Sequence, residues 1–413
     1  MNKDEGGMPG VTDEADTAPS CQARDWLLQP AGPLAGTLLA LVLVARAVRV
    51  AVVSAGGGMD NAFVVRAAAA WLDGGAPYAD RRFLYLPSAV IAAAPQAMLP
   101  SSVVRVVVPL LVVGALVAGW ACALRIFGVP WRSRFAVLGL LGTVLFWAPF
   151  GHLVNLGNWT VTAAFALPLA LLLADRGRWA AAGAVVGAAV ALKPLLAPIA
   201  LLFVFARQWR ALGWMVGVPA AASVCAGLVM PDPAGFLTRT LPFLLRGGDG
   251  LMRPYDVSAV AVLPRLGVPQ VVAVLVAAAG AAAGVSCAWR RWRCGDPGPA
   301  RLVETAVMLM LATFVISRPS YDHYLVVVLP LLLAGALRPG AVARSPWFWV
   351  ALVPQVPGFT LPYVEGATRR AFKDFITLCA LVATVGAHCA RARPPRPPGY
   401  PETRQVSLCD RSF

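Results

Sequence analysis

SSVVRVVVPLLVVGALVAGWACAL, residues 101–124, holds one charged side chain, Arg105, in a run long enough to cross a bilayer. A helix rises about 1.5 Å per residue and the hydrocarbon core is roughly 30 Å thick, so about 20 mostly apolar residues suffice. Outward from this run, comparable though sometimes shorter apolar stretches occur at 34–54, 135–150, 158–174, 179–192, 194–206, 212–230, 268–289, 301–317, 323–337, 346–362 and 374–390. They predict an all-α, polytopic transmembrane helical bundle of about twelve membrane helices. Composition agrees: 59% of the 413 residues are hydrophobic and 13% charged, whereas a soluble chain has about a quarter charged.

The net charge of +15 is dispersed as small arginine clusters between apolar runs, which excludes a nucleic-acid-binding patch and reads instead as membrane topology. Basic loops remain cytoplasmic. Arg125, Arg132 and Arg134, then Arg176 and Arg178, Arg207 and Arg210, Arg290, Arg291 and Arg293, and Arg338 and Arg344 fall on one side if every span is real. Arg391, Arg393 and Arg396 put the C-terminus on that side too, while Arg369, Arg370 and Lys373 dissent. Residues 86–99 fit a juxtamembrane or re-entrant helix. Residues 179–206 read either as a shallow hairpin around Lys193 or as one broken helix.

Residues 1–30 carry Asp4, Glu5, Asp13, Glu14 and Asp16 without an apolar core, so they are expected to be a disordered cytoplasmic tail rather than a cleavable signal. Residues 31–390 form the transmembrane domain, and 391–413, rich in proline and arginine, a second disordered cytoplasmic tail. The 8 cysteines are scattered, with Cys122, Cys225, Cys287 and Cys389 inside apolar runs; neither a metal nor a disulfide framework is expected, and no cofactor.

With this topology the unusual polar residues gather on the exoplasmic face. The first exoplasmic loop opens with Gly56, Gly57, Gly58 and Asp60, then shows helical spacing at Phe63, Val64, Ala67 and Trp71, which predicts an amphipathic helix lying on the bilayer. Asp60 at its N-terminus is favoured as an ionised carboxylate; it is either a general base or merely a helix cap. Lys193 lies in GAAVALKPLLAPIALLF beside the helix-breaking Pro194, and is either a phosphate contact or a snorkelling lysine. DPAGFLTRTLPFLL, 232–245, predicts a second interfacial helix whose Arg239 either holds a lipid phosphate in bidentate fashion or anchors to headgroups. In ISRPSYDHYLVVVLP, Arg318, Tyr321, Asp322, His323 and Tyr324 sit between two apolar spans: Arg318 and His323 suit phosphate, Asp322 and Tyr324 a sugar. Asn155 and Asn158, with His152, are candidate sugar hydrogen-bonders or caps for the next helix, and Asp249 belongs to the same exoplasmic set. The short cytoplasmic loops hold no glycine-rich phosphate cradle and no acidic pair for a metal-bound nucleotide sugar, so a membrane-embedded donor fits better.

MDNAFVVRAAAAWLDGGAPYADRRFLYLPSA, then NLGNWT, then GAAVALKPLLAP ending in RQWRAL, resembles glycosyltransferase family 87, polytopic enzymes of the C-type glycosyltransferase (GT-C) fold, over about residues 35–390. Within the family, ALKPLLAP, RQWRAL and DPAGFLTRTLPFLL followed by Asp249 look most like the alpha-1,3-arabinofuranosyltransferases of cell-envelope arabinan. The resemblance implies a polyprenyl-phosphate sugar donor, decaprenylphosphoryl arabinofuranose for that branch, a glycan or glycolipid acceptor, membrane lipids as surroundings and inversion at the anomeric carbon. It also implies Asp60 as the base, because C-type enzymes carry an acidic residue early in the first exoplasmic loop. Mannosyl transfer from a polyprenyl-phosphate mannose is the nearest alternative. A lipid-linked-sugar flippase or transporter, or a noncatalytic scaffold, are alternatives of other classes, although a transporter needs polar residues at mid-membrane depth and on both faces.

Overall fold

The computed structural model describes residues 18–54, 56–246, 253–294, 297–361 and 366–392, the side chains of 18–21, 253 and 367 excepted. Among them the chain is helical, with one isolated β-bridge between Pro30 and Ser133. The helices are α1 (Ala18–Leu28), α2 (Pro33–Val53), α3 (Met59–Leu72), α4 (Pro87–Ala97), α5 (Ser101–Ile126), α6 (Arg134–Phe146), α7 (Ala148–Leu156), α8 (Thr160–Asp175) and α9 (Trp179–Leu192) in the first half. They continue with α10 (Ala200–Phe205), α11 (Trp209–Val229), α12 (Leu241–Leu245), α13 (Ala259–Arg265), α14 (Gln270–Cys294), α15 (Pro299–Ile316), α16 (Leu329–Ala334), α17 (Pro346–Leu352) and α18 (Gly366–Ala390).

Six helices among the described residues are long and apolar enough to cross a membrane: α2, α5, α11, α14, α15 and most of α18. The chain is therefore a multi-pass membrane protein. The remaining expected spans are helical but shorter than a bilayer, or broken. Residues 135–150 form α6 and α7, bent by 74° where Trp147 is extended and Pro149 starts the new helix; the two count as a seventh crossing if read as one span. Residues 194–205 and 322–334 begin as 3-10 turns (Pro194–Ile199 and Asp322–Val327) before becoming α10 and α16.

Small residues set the helix spacing. A methyl group at Gly119 of α5 would run into the Ala164 carbonyl of α8, and one at Gly183 of α9 into the Ala211 carbonyl of α11. Packed this way, α5, α8, α9 and α11 lie side by side, and α14, α15 and α18 form a second group. Lys193 breaks the chain between α9 and the turn before α10. Trp179 at the start of α9 meets Phe203 in α10 edge to face, with centroids 6.4 Å apart, so the two arms form a hairpin with Lys193 at its apex.

Two expectations change. Residues 18–28, assigned to a disordered tail, form α1, because Arg134 stacks on Trp26 at 4.7 Å and its backbone N–H donates to the Gln29 carbonyl at 2.8 Å. In α3 the apolar side is not laid open on the bilayer: Val64, Ala67 and Ala68 are buried in a cluster with Ala89, Val90 and Ala93 of α4. Residues 1–17 and 393–413 lie outside the described residues, and with them most of both expected tails.

Candidate functional site

Following the chain up and down the bundle brings the unusual polar residues to one end. That end receives the C-terminus of α2, the start of α5, the α7–α8 junction, the hairpin apex at Lys193, the end of α11 and the segment after α15. The arginine clusters at Arg125, Arg176, Arg207, Arg291 and Arg338 follow helices that run the other way and lie at the opposite end.

Asp60, in the first turn of α3, is half-buried. Its Oδ2 accepts a hydrogen bond from the side-chain amide of Asn158. The same amide presents Oδ1 to the Lys193 ammonium at 2.8 Å and to the Thr160 backbone N–H at 2.8 Å, and Lys193 also donates to Thr160 Oγ1 at 2.9 Å. Asn158 thus satisfies the first N–H of α8 and, at the same time, bridges an acid and a cation that come from positions 60 and 193. The Lys193 ammonium lies over the Tyr324 ring at 4.9 Å and the Tyr85 ring at 5.9 Å. Lys193 keeps some accessible surface, yet protein surrounds it, and that burial pushes its pKa down to about 8 against the upward pull of the Asp60 carboxylate. Tyr85 is raised well above its ordinary value by burial and by the same carboxylate, which keeps the phenol neutral.

The junction that joins Asp60 to Asn158 is built from glycine. Gly58 has φ +122°, a backbone conformation that side chains strongly disfavour, and a methyl there would overlap the Leu156 carbonyl; a methyl on Gly157 would overlap the Gly57 carbonyl. Asn61 completes the join by accepting from Trp159 Nε1 at 3.0 Å and donating to the Gly56 carbonyl at 3.0 Å. We expect Gly58→Ala to cost about 1–3 kcal/mol from backbone strain alone. The measurement is the melting temperature in detergent, and an unchanged value would mean that the junction yields to a methyl.

Asp322 anchors a second arm. It is 5% exposed, pairs with His152 from α7, accepts from the His323 backbone N–H at 2.8 Å and lies 3.9 Å from the Arg370 guanidinium. Arg370 also reaches His152 at 3.3 Å and lies over Tyr255 at 4.9 Å. His323 is 3% exposed, stacked on Tyr321 at 5.3 Å, and its Nε2 is buried without a partner. Arg318 approaches Asp256 at 3.7 Å. Burial pushes the Asp256 carboxyl up, while N–H donors from Ser258 and Ser320, together with Arg318, act in the opposite direction.

Arg239 stands apart from this cluster. It pairs with Asp232 at 3.0 Å and reaches the Tyr78 carbonyl at 3.5 Å, with half of its side chain exposed. An aromatic row, Tyr78, Phe83, Tyr85 and Trp159, with successive centroids 5.2, 5.7 and 5.8 Å apart, leads from Arg239 toward Lys193. The expected interfacial helix at 232–245 begins only at Phe236, with a π-helical turn to Thr240 and then α12; Leu237 and Leu245 are exposed on it.

Of the residues expected from sequence, the structure joins Asp60, Asn158, Lys193, Tyr324, Asp322 and His323 in one neighbourhood. Arg318 borders it through Asp256. Asn155 is exposed on α7 and outside the network, and Asp249 lies outside the described residues. Sequence reasoning missed Tyr85, Thr160, Asp256 and Arg370. Only Arg370 left a signal, as an arginine on the wrong side of the expected topology; its partners are 218 and 48 residues away in the chain.

No curated protein and no solved structure matches the chain. A family model does match, over residues 83–317, a stretch that takes in Tyr85, Asn158, Lys193, Arg239 and Asp256. That stretch is more than half of the sequence, and it shows that the chain belongs to glycosyltransferase family 87.

Proposed function

We propose that this membrane glycosyltransferase transfers a sugar, arabinofuranose, from a polyprenyl-phosphate donor to a cell-envelope glycan or glycolipid, with inversion at the anomeric carbon. The observation that carries the proposal is the Asn158 amide, which holds the Asp60 carboxylate on one side and the Lys193 ammonium on the other. An inverting displacement needs a proton acceptor at the attacking oxygen and positive charge at the departing phosphate. Here the two are held a single amide apart.

In the proposed step an acceptor hydroxyl attacks the anomeric carbon and gives its proton to Asp60. The bond from that carbon to the phosphate oxygen breaks, and polyprenyl phosphate departs. A phosphate needs no strong general acid to leave; Lys193 supplies the charge that stabilises it. Tyr324, beneath the ammonium, is assigned to the sugar ring, and Asp322, held by His152 and Arg370, with His323, whose Nε2 is buried without a partner, to its polar groups. Arg239, at the mouth of the aromatic row, is assigned to draw the lipid phosphate in. Arg318, partly neutralised by Asp256, adds positive potential at the rim; the exposed Asn155 is assigned to the acceptor side, and so, from the sequence alone, is Asp249. In this reading the arginine-rich end and both termini face the cytoplasm and the site the exoplasmic side of the plasma membrane, an orientation that the positive-inside rule supports.

Proteoliposomes given labelled decaprenylphosphoryl arabinofuranose and a glycan acceptor test this reading. A new furanosidic linkage, resolved by NMR, supports it. Product from polyprenyl-phosphate mannose alone keeps the reaction and replaces the sugar. Intact donor crossing the bilayer with no glycosidic product identifies a flippase and refutes the proposal. Because Arg239 is half exposed and already paired with Asp232, Arg239→Ala is expected to raise donor KM by about three- to tenfold with kcat little changed. An equal fall in kcat instead would place Arg239 at the reacting centre.

A further inference from the structure

We propose that the opposite, arginine-rich end of the bundle carries a second anion site, shaped for a phosphate-ester headgroup and separate from the transfer site. A cavity of about 420 Å³ opens there between α1, α14, α15, the segment after α16 and the end of α18. Arg24, Arg291 and Arg338 line it, with His388 and Glu304. Glu304 is already committed: its Oε2 accepts from Arg291 Nε at 2.6 Å and its Oε1 lies 3.2 Å from His388 Nε2. Among the described lining residues three arginines stand against one glutamate, and His388 beside them; Asp175, outside the lining, lies close enough to Arg338 to offset part of its charge.

The second element is α15 itself. Its first residues, Ala300 and Val303, line the cavity, Gly298 provides no side-chain cap, and the first turn holds no acidic residue. Among the described residues no side chain caps the start of this 18-residue helix, so the positive end of its dipole lies at a pocket already rich in guanidinium. The side chains that line the pocket are also braced. Arg338 lies over the Phe127 ring at 5.7 Å, and Arg301, beside the pocket, lies over Trp292 at 4.6 Å. Among the described residues the guanidinium charge of this pocket is only partly balanced, since Glu304 is spent on Arg291 and His388, and a phosphate would complete the balance. The helix that opens it ends beside Arg318, about 27 Å away at 1.5 Å per residue, so the donor phosphate at Lys193 and an anion here are different ligands.

Phospholipid headgroups and free phosphates share this chemistry, and titration of the full chain in neutral detergent separates them. Melting temperature and bound mass, by native mass spectrometry, are followed with dioleoyl phosphatidylglycerol, dioleoyl phosphatidylcholine and inorganic pyrophosphate. The expected result is binding and stabilisation by phosphatidylglycerol, none by phosphatidylcholine, and about fivefold weaker binding for each arginine removed in Arg24→Gln and Arg338→Gln. Donor KM should be unchanged in both, which distinguishes this site from the transfer site. Stabilisation by pyrophosphate that is lost in the same variants supports the site with a free anion as its ligand. Binding that is equal in wild type and the double variant, or absent for both anions, overturns the proposal.

Discussion

Asp60→Asn is expected to lower kcat by about 10²–10⁴ while donor affinity stays within about threefold of wild type. The substitution removes a proton acceptor and also the carboxylate that favours the charged Lys193, so wild type and variant are compared at a pH where that ammonium stays protonated. Asparagine keeps the shape and an amide oxygen that can accept from Asn158, so the α3 start and the glycine junction around it remain in place. Donor binding depends on charge that Asp60 does not supply. Single-turnover rates and donor Kd, measured separately on the purified variant, decide the matter. A rate near wild type would sink the assignment of Asp60 as base and leave it a helix cap. A large loss of donor affinity with the rate per bound donor preserved would make it a binding residue.

Lys193→Met should reduce kcat/KM by about 10²–10³, through both a weaker hold on the donor and a slower departure of the phosphate. The methionine keeps the length and apolar stem of the side chain but removes the ammonium that donates to Asn158 and Thr160. A pH profile separates this role from a structural one. The free-enzyme ammonium titrates at about 8, below the ordinary lysine value, so it is charged below that pH and neutral above it. kcat/KM, which reports the free enzyme, should therefore decline as pH rises through about 8. A bound phosphate favours the charged form, so the same decline in kcat should appear at higher pH. Lys193→Arg, with a charge that does not titrate in this range, should retain part of the activity and lose the alkaline decline. A decline at about 8 that persists in the arginine variant would assign the titration to another group.

Much of the helical layout was legible from composition and spacing. Apolar runs, punctuated by arginines, mark where helices lie, because each span satisfies its own backbone hydrogen bonds and must be apolar along its length. What local pattern could not convey was how far each helix reaches: the 3-10 turns at Pro194 and Asp322 and the bend at Trp147 shorten or break runs that read as continuous. Segment 18–28 was misread for a related reason. Its stability comes from Arg134 stacking on Trp26 and from backbone pairing near Ser133, which no local count of charge can register.

The chemistry-bearing residues divide in the same way. Sequence alone determined that this is a helical membrane protein with ionisable side chains in costly places, Asp60, Lys193 and Asp322 among them, because burying charge near lipid is expensive enough for one lone lysine or aspartate to stand out. Tertiary structure decided which of them meet. Asp60 and Asn158 are 98 residues apart and come together where the backbones at Gly57–Gly58 and Leu156–Gly157 pass so close that a side chain on Gly58 or Gly157 would intrude. Arg370, read along the chain as an error in topology, becomes the partner of Asp322 and His152 once α18 packs against the site end. Hydropathy and helical period are properties of neighbouring residues, whereas an acid beside a cation is a property of the space between helices, and only packing determines that space.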